Sequence, residues 1–139
     1  MKRWMCALLA LCLLALGAGA LEENQLKEVQ MLYEDYDGHW ASQTVDDEAT
    51  VREIEAMLTR AHKNPGTLEG NTMNCTLLCT LKNGEIYDIA VATDGSLFIT
   101  DMTTDKTYRL TEDDHARLWE IFDVVQEEMG YDAALFMND

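Results

Sequence analysis

Cys75 and Cys79 are the first candidates for chemistry in this 139-residue sequence, because two cysteines four apart can bind a metal or form a disulfide. They lie in an alternating segment, residues 73–81, that is typical of a β-strand. Residues four apart on a strand are roughly 13 Å apart, whereas a disulfide requires Cα atoms within about 7 Å. We therefore expect two reduced, inward-facing thiols, and a metal half-site would lack a second pair of ligands.

Few other residues are arranged for catalysis. His39, His62 and His115 do not show the His-Glu-x-x-His spacing of zinc enzymes, and no Gly-x-Ser-x-Gly or glycine-rich phosphate loop occurs. Pairing of Cys75 with a histidine stays open, although buried cysteines are usually unreactive. No pair among the 26 acids is distinguished by its position. We therefore name no catalytic residue and expect no cofactor.

An acidic segment, Glu34, Asp35 and Asp37, is the best candidate for a cation site, because carboxylates are good ligands for Ca²⁺. An EF-hand loop needs an oxygen ligand at its first position and glycine at its sixth. With Gly38 at the sixth position, Tyr33 falls at the first, so the EF-hand is excluded. A looser divalent-cation site and a solvated turn remain as the two interpretations.

Three aromatic residues surround the same turn: Tyr33, Tyr36 and Trp40. Aromatic side chains beside a turn often form contact sites, because they supply a large area at low entropic cost. These residues are therefore the candidates for a binding surface. The alternative is that Tyr33 and Trp40 belong to the hydrophobic core, which is the commoner role of large aromatic residues and the one that we expect.

The first elements are an N-terminal hairpin and a helix. Residues 28–33 are expected to form a strand or the end of a short helix, and residues 39–45 a returning strand after the Asp-Gly turn. Asp46 and Asp47 can cap a helix that ends near Pro65. The helical spacing predicts that its buried face contains Val51, Ile54, Leu58 and Ala61.

Four strands and a helix follow. Turn signals at Asn83-Gly84 and Asp94-Gly95 separate alternating segments. The predicted strands are residues 75–81, 86–92, 96–100 and 107–110. Thr111 can cap a continuous helix that ends at Gly130. Its apolar stripe is Leu118, Ile121, Phe122 and Val125, with Trp119 beside it and Met129 extending it. We expect the apolar residues of the tail, Leu135, Phe136 and Met137, to pack against the core.

The order β-β-α-β-β-β-β-α predicts an α+β fold in which an antiparallel β-meander of about four strands packs on two helices, beside the N-terminal hairpin. One acidic domain would span residues 21–139, with its core at about residues 49–130. That length is sufficient to bury a core without support from disulfides or metals.

A secretory signal peptide is expected at residues 1–20, because Lys2 and Arg3 precede an apolar run that ends in Ala18-Gly19-Ala20. Cleavage after Ala20 would release a secreted or cell-envelope protein, and retention would leave a membrane anchor. The whole chain has a net charge of −16. Removal of the two basic residues leaves eight against 26 acids, or −18. This charge argues against nucleic acids and anionic membranes as partners and permits basic ones.

Residues 81–89 (LKNGEIYDI) and 94–99 (DGSLFI), followed by the helix that Thr111 opens, resemble small exported bacterial domains of unknown function, which are common in Gram-positive anaerobes. The resemblance implies an α+β fold in a cell-envelope setting and carries no functional residue. We therefore expect an exported, non-catalytic binding domain with a basic or polar protein partner. The alternatives are a small hydrolase-type enzyme and an acidic protein that binds divalent cations.

Overall fold

The computed structural model describes residues 25–34, 37–67 and 75–130. The expected signal peptide, residues 1–20, and the tail at residues 131–139 lie outside these ranges. In chain order the elements are β1 (Leu26–Glu34), β2 (Trp40–Val45), α1 (Glu48–Ala61), β3 (Cys75–Leu81), β4 (Ile86–Val91), β5 (Phe98–Asp101), β6 (Lys106–Arg109), α2 (Glu112–Ile121) and α3 (Asp123–Met129). The α+β class is thereby confirmed.

All six strands form one antiparallel sheet, in the order β2-β1-β3-β4-β5-β6. The predicted four-strand meander is therefore extended by the N-terminal hairpin, which belongs to the same sheet. The join is the pairing of β1 with β3, in which Val29 lies opposite Cys79 and Met31 opposite Leu77. All four of these residues are buried, so the alignment of two apolar faces fixes the register.

The inner face of the sheet carries the core beneath the helices. On β3 the burial alternates strictly, and Cys75, Leu77, Cys79 and Leu81 all point inward. The two cysteines are not bonded to each other, as the strand geometry predicted. They act here as small apolar residues within the main cluster.

Helix α1 is held at its start by a cap and near its middle by a buried carboxylate. Asp47 accepts a hydrogen bond from the Thr50 N–H at 3.0 Å, as the sequence predicted. The Glu55 carboxylate accepts the Leu26 N–H at 2.9 Å and the Arg52 guanidinium at 2.7 Å. Because Glu55 is 5 % exposed, these donors offset the cost of burying its charge and fix α1 to the beginning of β1. The four predicted core residues of α1 are all buried.

The last helix is not continuous as expected, since it breaks at Phe122. This residue has φ −95° and ψ 48°, and α3 begins immediately after it. The side chain of Gln43 on β2 satisfies both sides of the break: its Nε2 donates to the Ile121 carbonyl at 2.9 Å and its Oε1 accepts the Val124 N–H at 3.1 Å. Phe122 at the break and Val125 after it are both fully buried.

The ends of the α2–α3 region agree with the prediction. The Thr111 hydroxyl accepts the Asp114 N–H at 3.0 Å, and Gly130 closes α3 with a positive φ of 64°. Trp119, expected beside the apolar stripe, is 0 % exposed and belongs to the core. Ile121, expected within the stripe, is only partly buried, although it packs against the core.

Candidate binding surface at the end of the N-terminal hairpin

The β1–β2 hairpin brings two of the three predicted aromatic residues to one end of the sheet. Tyr33 pairs with Ala41, and Glu34 pairs with Trp40. Tyr33 is partly buried and packs against the core, which agrees with the core interpretation for that residue. The third aromatic, Tyr36, and the predicted metal ligand Asp35 lie outside the described residues.

Trp40 contradicts the core expectation, because 73 % of its side chain is exposed. The cause is its place in the sheet. Ala41 points to the inner face, so Trp40 points to the outer face, and β2 is an edge strand with one neighbour. The Asp-Gly turn predicted a returning strand at residues 39–45, and β2 lies at Trp40–Val45, but the edge position depends on pairing between segments distant in sequence.

Helix α3 completes a small cavity of about 80 Å³ beside Trp40. We call its lining the hairpin-end surface: Tyr33, His39, Trp40, Ala41, Glu128 and Met129. The last two residues could not be predicted from the sequence, because α3 is far from the hairpin along the chain. They arrive here because α3 packs across β2 and β1.

Exposed carboxylates surround this surface. Glu34 and Asp37 flank the hairpin tip, and Glu127 and Glu128 lie on the last turn of α3. An exposed indole ring beside carboxylates suits a cationic group, because the ring face attracts a cation while the carboxylates can pair with it. His39, the residue before β2, is also exposed.

The predicted cation ligands divide between described and undescribed residues. Glu34 and Asp37 are exposed near the hairpin tip, whereas the position of Asp35 is not described. Within the described ranges, no group of three or more His, Cys, Asp or Glu side chains converges in a way that could hold a metal ion. The structure thus supplies no geometry for a cation site among these residues.

The cysteines occupy an environment that suppresses thiolate chemistry. Burial raises the pKa of Cys75 to about 12. The pKa of Cys79 is also raised to about 12, by burial first and then by repulsion from the Asp101 and Asp88 carboxylates. Both thiols are therefore protonated near neutral pH, and a protonated thiol is a poor nucleophile and a poor metal ligand.

The histidines are spread over the fold. His62 follows α1, its Nδ1 lies 2.6 Å from the Leu58 carbonyl oxygen, and its ring lies 4.3 Å from that of Tyr108. His115 on α2 is 1 % exposed, and neither of its ring nitrogens has a hydrogen-bond partner among the described residues. Burial lowers the pKa of His115, so its ring is neutral near neutral pH.

A larger cavity of about 330 Å³ lies where Asn64 and Pro65 meet β6 and the start of α2. A helix N-terminus can bind an anion, but the first turn of α2 already carries Glu112, Asp113 and Asp114. Of these three, Glu112 lines the cavity and opposes an anion there, although Arg109 also lines it. The hairpin-end surface therefore remains the better candidate.

Comparisons of this chain with protein-family models, with curated proteins and with solved structures found no match. Within the described residues, the helices are too short or too polar to cross a lipid bilayer. The functional argument therefore depends on the chemistry and the placement of the residues themselves.

Proposed function

We propose that this protein is an exported, non-catalytic binding domain that contacts a basic or polar polypeptide through the hairpin-end surface. The observation that carries the proposal is the 73 % exposure of Trp40 beside a cavity. Tryptophan is the residue most enriched at energetically important positions of protein interfaces, where it fills a pocket or covers a partner side chain. Its exposure on an edge strand leaves it accessible for that role.

The charge around Trp40 favours a basic partner. Glu34 lies opposite Trp40 in the sheet, Glu128 lines the same cavity, and the exposed Asp37 precedes Trp40 in the chain. A lysine or arginine placed over the ring gains about 0.5–2 kcal/mol from the cation–π interaction. The carboxylates at the rim contribute mainly to the rate of association, and their effect is screened by salt. We therefore expect partner binding to weaken as ionic strength rises.

The proposed site of action is outside the cytoplasm, in the cell envelope or the surrounding medium, and rests on the signal-peptide pattern of residues 1–20. N-terminal sequencing of the exported protein should begin at Leu21. Recovery of the uncleaved chain in the membrane fraction would contradict export in soluble form.

A binding experiment with a charge-reversed control tests the proposal. The probe is a fluorescein-labelled peptide of ten residues in which Lys and Val alternate, and the control peptide has Glu in place of Lys. Fluorescence anisotropy should show binding of the Lys-Val peptide alone. Trp40→Ala should weaken it by about tenfold or more, which corresponds to about 1.4 kcal/mol.

Ile86→Ala provides the matched control variant. Ile86 is another exposed large hydrophobic residue, 61 % exposed at the start of β4. It pairs with Thr80 and therefore lies at the opposite end of the sheet from Trp40. Its truncation should leave the affinity within about twofold. Equal binding of both peptides, or equal loss in both variants, would refute the hairpin-end surface as the binding site.

A further inference from the structure

The two edges of the sheet differ in how they are covered. At the β6 edge, the segment after α1 supplies backbone partners: the Gly66 N–H donates to the Thr107 carbonyl at 3.0 Å, and the Arg109 N–H donates to the Asn64 carbonyl at 2.9 Å. Pro65 forms an isolated bridge with Tyr108 in the same place. At the other edge, no strand of the described residues pairs with the outer side of β2.

Strand β2 also lacks the usual devices that protect an edge. Its sequence, WASQTV, contains neither a charged residue nor a proline. Its pairing with β1 runs without a register shift from Trp40 opposite Glu34 to Val45 opposite Val29. Natural edge strands are commonly blunted by lysine, proline or a bulge, because an unprotected edge is a template for another strand. β2 has the geometry of such a template.

The direction of the backbone groups follows from the hydrogen bonds of β3. Lys82 donates to the Gln25 carbonyl next to β1, whereas Leu81 donates to the Glu85 carbonyl next to β4. The direction of the backbone N–H and C=O groups alternates along a strand. The even-numbered residues of β3 and β1 therefore direct these groups to each other, and the odd-numbered residues of β1 direct theirs to β2. The residues of β2 that direct their N–H and C=O groups to the open edge are therefore Trp40, Ser42 and Thr44.

Apolar side chains are available on both faces of this edge. Trp40 lies on the outer face at one end of β2. On the inner face, Val124 is 50 % exposed, and its backbone N–H is bound to the side chain of Gln43. An added strand places alternate side chains on the two faces of a sheet. Side chains of an added strand on the outer face can therefore contact Trp40, and those on the inner face can contact Val124.

The elements around the edge supply negative charge. Asp46 and Asp47 directly follow β2, and α3, which packs on β2, presents Asp123, Glu127 and Glu128 to solvent. Neither β2 nor α3 contains a lysine or an arginine. An uncharged strand bordered by carboxylates complements a peptide segment that contains both apolar and basic residues. The same carboxylates repel an acidic segment.

We infer that the partner is an extended basic polypeptide segment that adds to β2 as a seventh strand, an inference that rests on the proposed binding function. The backbone groups of Trp40, Ser42 and Thr44 supply the main-chain hydrogen bonds, and the carboxylates select for positive charge. A second copy of this chain is the less favourable occupant, because the mature chain would carry a charge of −18, from eight basic and 26 acidic residues.

Amide hydrogen exchange on the full-length protein, followed by NMR, tests the inference with the Lys-Val peptide as the probe. Binding should slow exchange of the Trp40, Ser42 and Thr44 N–H groups by about tenfold or more. The Gln43 and Val45 N–H groups face β1 and should be protected with or without peptide. Ser42→Pro removes one edge donor without breaking the ladder to β1, since proline is tolerated on edge strands. It should weaken binding by about tenfold. Ser42→Ala keeps the N–H and should bind normally.

The outcomes separate the inference from the function on which it rests. If the peptide perturbs the Trp40 indole while Ser42 and Thr44 stay unprotected, strand addition is overturned and the hairpin-end surface survives. If neither the indole nor the β2 amides respond, both proposals fail. Protection of the three amides without peptide, increasing with protein concentration, would replace the basic segment with a second copy of the chain. Thermal unfolding should first show that Ser42→Ala and Ser42→Pro are both folded. Equal binding of the peptide by these two variants would then also overturn strand addition.

Discussion

Strands β2 and β6 are the two edges of one sheet, and among the described residues only β6 has a further segment of the chain bound along its outer side. The backbone of residues 64–66 bonds the Thr107 carbonyl and the Arg109 N–H, and Lys106 and Arg109 add charge to that strand. β2 has neither charge nor proline, and it begins with an exposed tryptophan, Trp40. The β6 edge is thus bound by residues 64–66, whereas the β2 edge is the one to which we propose that a partner binds.

Gly66 lies in the segment that covers the β6 edge, close to the Phe98 ring. A Cβ atom at this position would lie 2.6 Å from Cε1 and 2.8 Å from Cδ1 of the Phe98 ring. The ring must therefore move before any other residue can occupy the site. In the described residues, no comparable contact holds a segment against β2. The tight space for a side chain at position 66 is therefore a feature of the β6 edge alone among these residues.

The largest effect is expected from removing the support beneath the β2 edge. Phe122 is 0 % exposed at the break between α2 and α3, and α3 packs on β2. Phe122→Ala should lower the free energy of unfolding by about 3–5 kcal/mol, because it removes buried apolar contacts and leaves a cavity. Chemical denaturation measures this change. A loss under about 1 kcal/mol would show that this part of the α2–α3 region does not support the sheet.

The next effect concerns the covered edge. Gly66→Ala should cost about 1–3 kcal/mol, because the new methyl group collides with Phe98 and the neighbouring ring must be displaced. The Arg109 amide should exchange faster in the same variant, since the segment that holds its hydrogen bond is pushed away. Gly84→Ala is the comparison variant: Gly84 has φ +90° but open space around the Cβ position. Its cost arises from backbone strain alone and should leave Arg109 exchange unchanged.

Gln43 joins the open edge to the helices, and its removal should have a moderate effect. Gln43→Ala deletes hydrogen bonds to Ile121 and Val124 and should cost about 1–2 kcal/mol in stability. Ser42→Ala, on the adjacent outward-facing position, should cost less than about 0.5 kcal/mol. Thermal or chemical unfolding of the two variants compares them. Equal stability would mean that the break at Phe122 needs no side-chain support.

Acidification should affect the interior at a different pH from the surface ion pairs. Burial lowers the pKa of His115. In the unfolded chain the same ring has a pKa near 6.5, so it binds a proton there that the folded state excludes. Stability should therefore fall as pH decreases below about 6.5, by up to about 1.4 kcal/mol per pH unit. His115→Phe should abolish this dependence between about pH 6.5 and 5, as measured by chemical denaturation across that range.

The carboxylates titrate at lower pH. The pKa of Asp114 is lowered mainly by its hydrogen bond with Arg60, and that of Glu53 mainly by its hydrogen bond with Arg117. Because their folded-state values are depressed, the stability that they contribute is present above their unfolded values, near 4, and is lost as pH falls through the folded values. If His115→Phe keeps the same pH dependence of stability, the loss of stability above pH 5 is caused by groups other than His115.

The smallest effect on stability is expected at the residue with the largest expected effect on binding. Trp40→Ala should change the free energy of unfolding by less than about 0.5 kcal/mol, because most of the side chain is already in water. The same substitution should weaken binding of the Lys-Val peptide by about tenfold. A large loss of stability would instead return Trp40 to the core role that the sequence first indicated.

Local signals in the sequence were sufficient for most of the fold. The Asn83-Gly84 and Asp94-Gly95 turns, and the capping residues Asp47 and Thr111, predicted element types and most boundaries correctly. These features act within a few residues, so they can be recognised without knowledge of the tertiary structure. The alternation on β3 likewise predicted the inward-facing cysteines.

The features that depend on distant contacts could not be predicted. The sequence did not show that β1 pairs with β3, and therefore it did not show that Trp40 stands on an edge. The break at Phe122 is satisfied by Gln43, which lies far away along the chain. Of the candidate binding residues, Tyr33 and Trp40 are brought together with Glu128 by packing of α3, while Tyr36 lies outside the described residues.

Native-state hydrogen exchange of the unliganded protein tests most directly whether the β2 edge is open. The Arg109 and Gly66 N–H groups are bonded at the covered edge, whereas the Ser42 and Thr44 N–H groups point away from β1. We expect Arg109 and Gly66 to exchange more slowly than Ser42 and Thr44 by about 100-fold or more after correction for intrinsic rates. Equal protection at the two edges would contradict the account, because it would mean that β2 is already occupied.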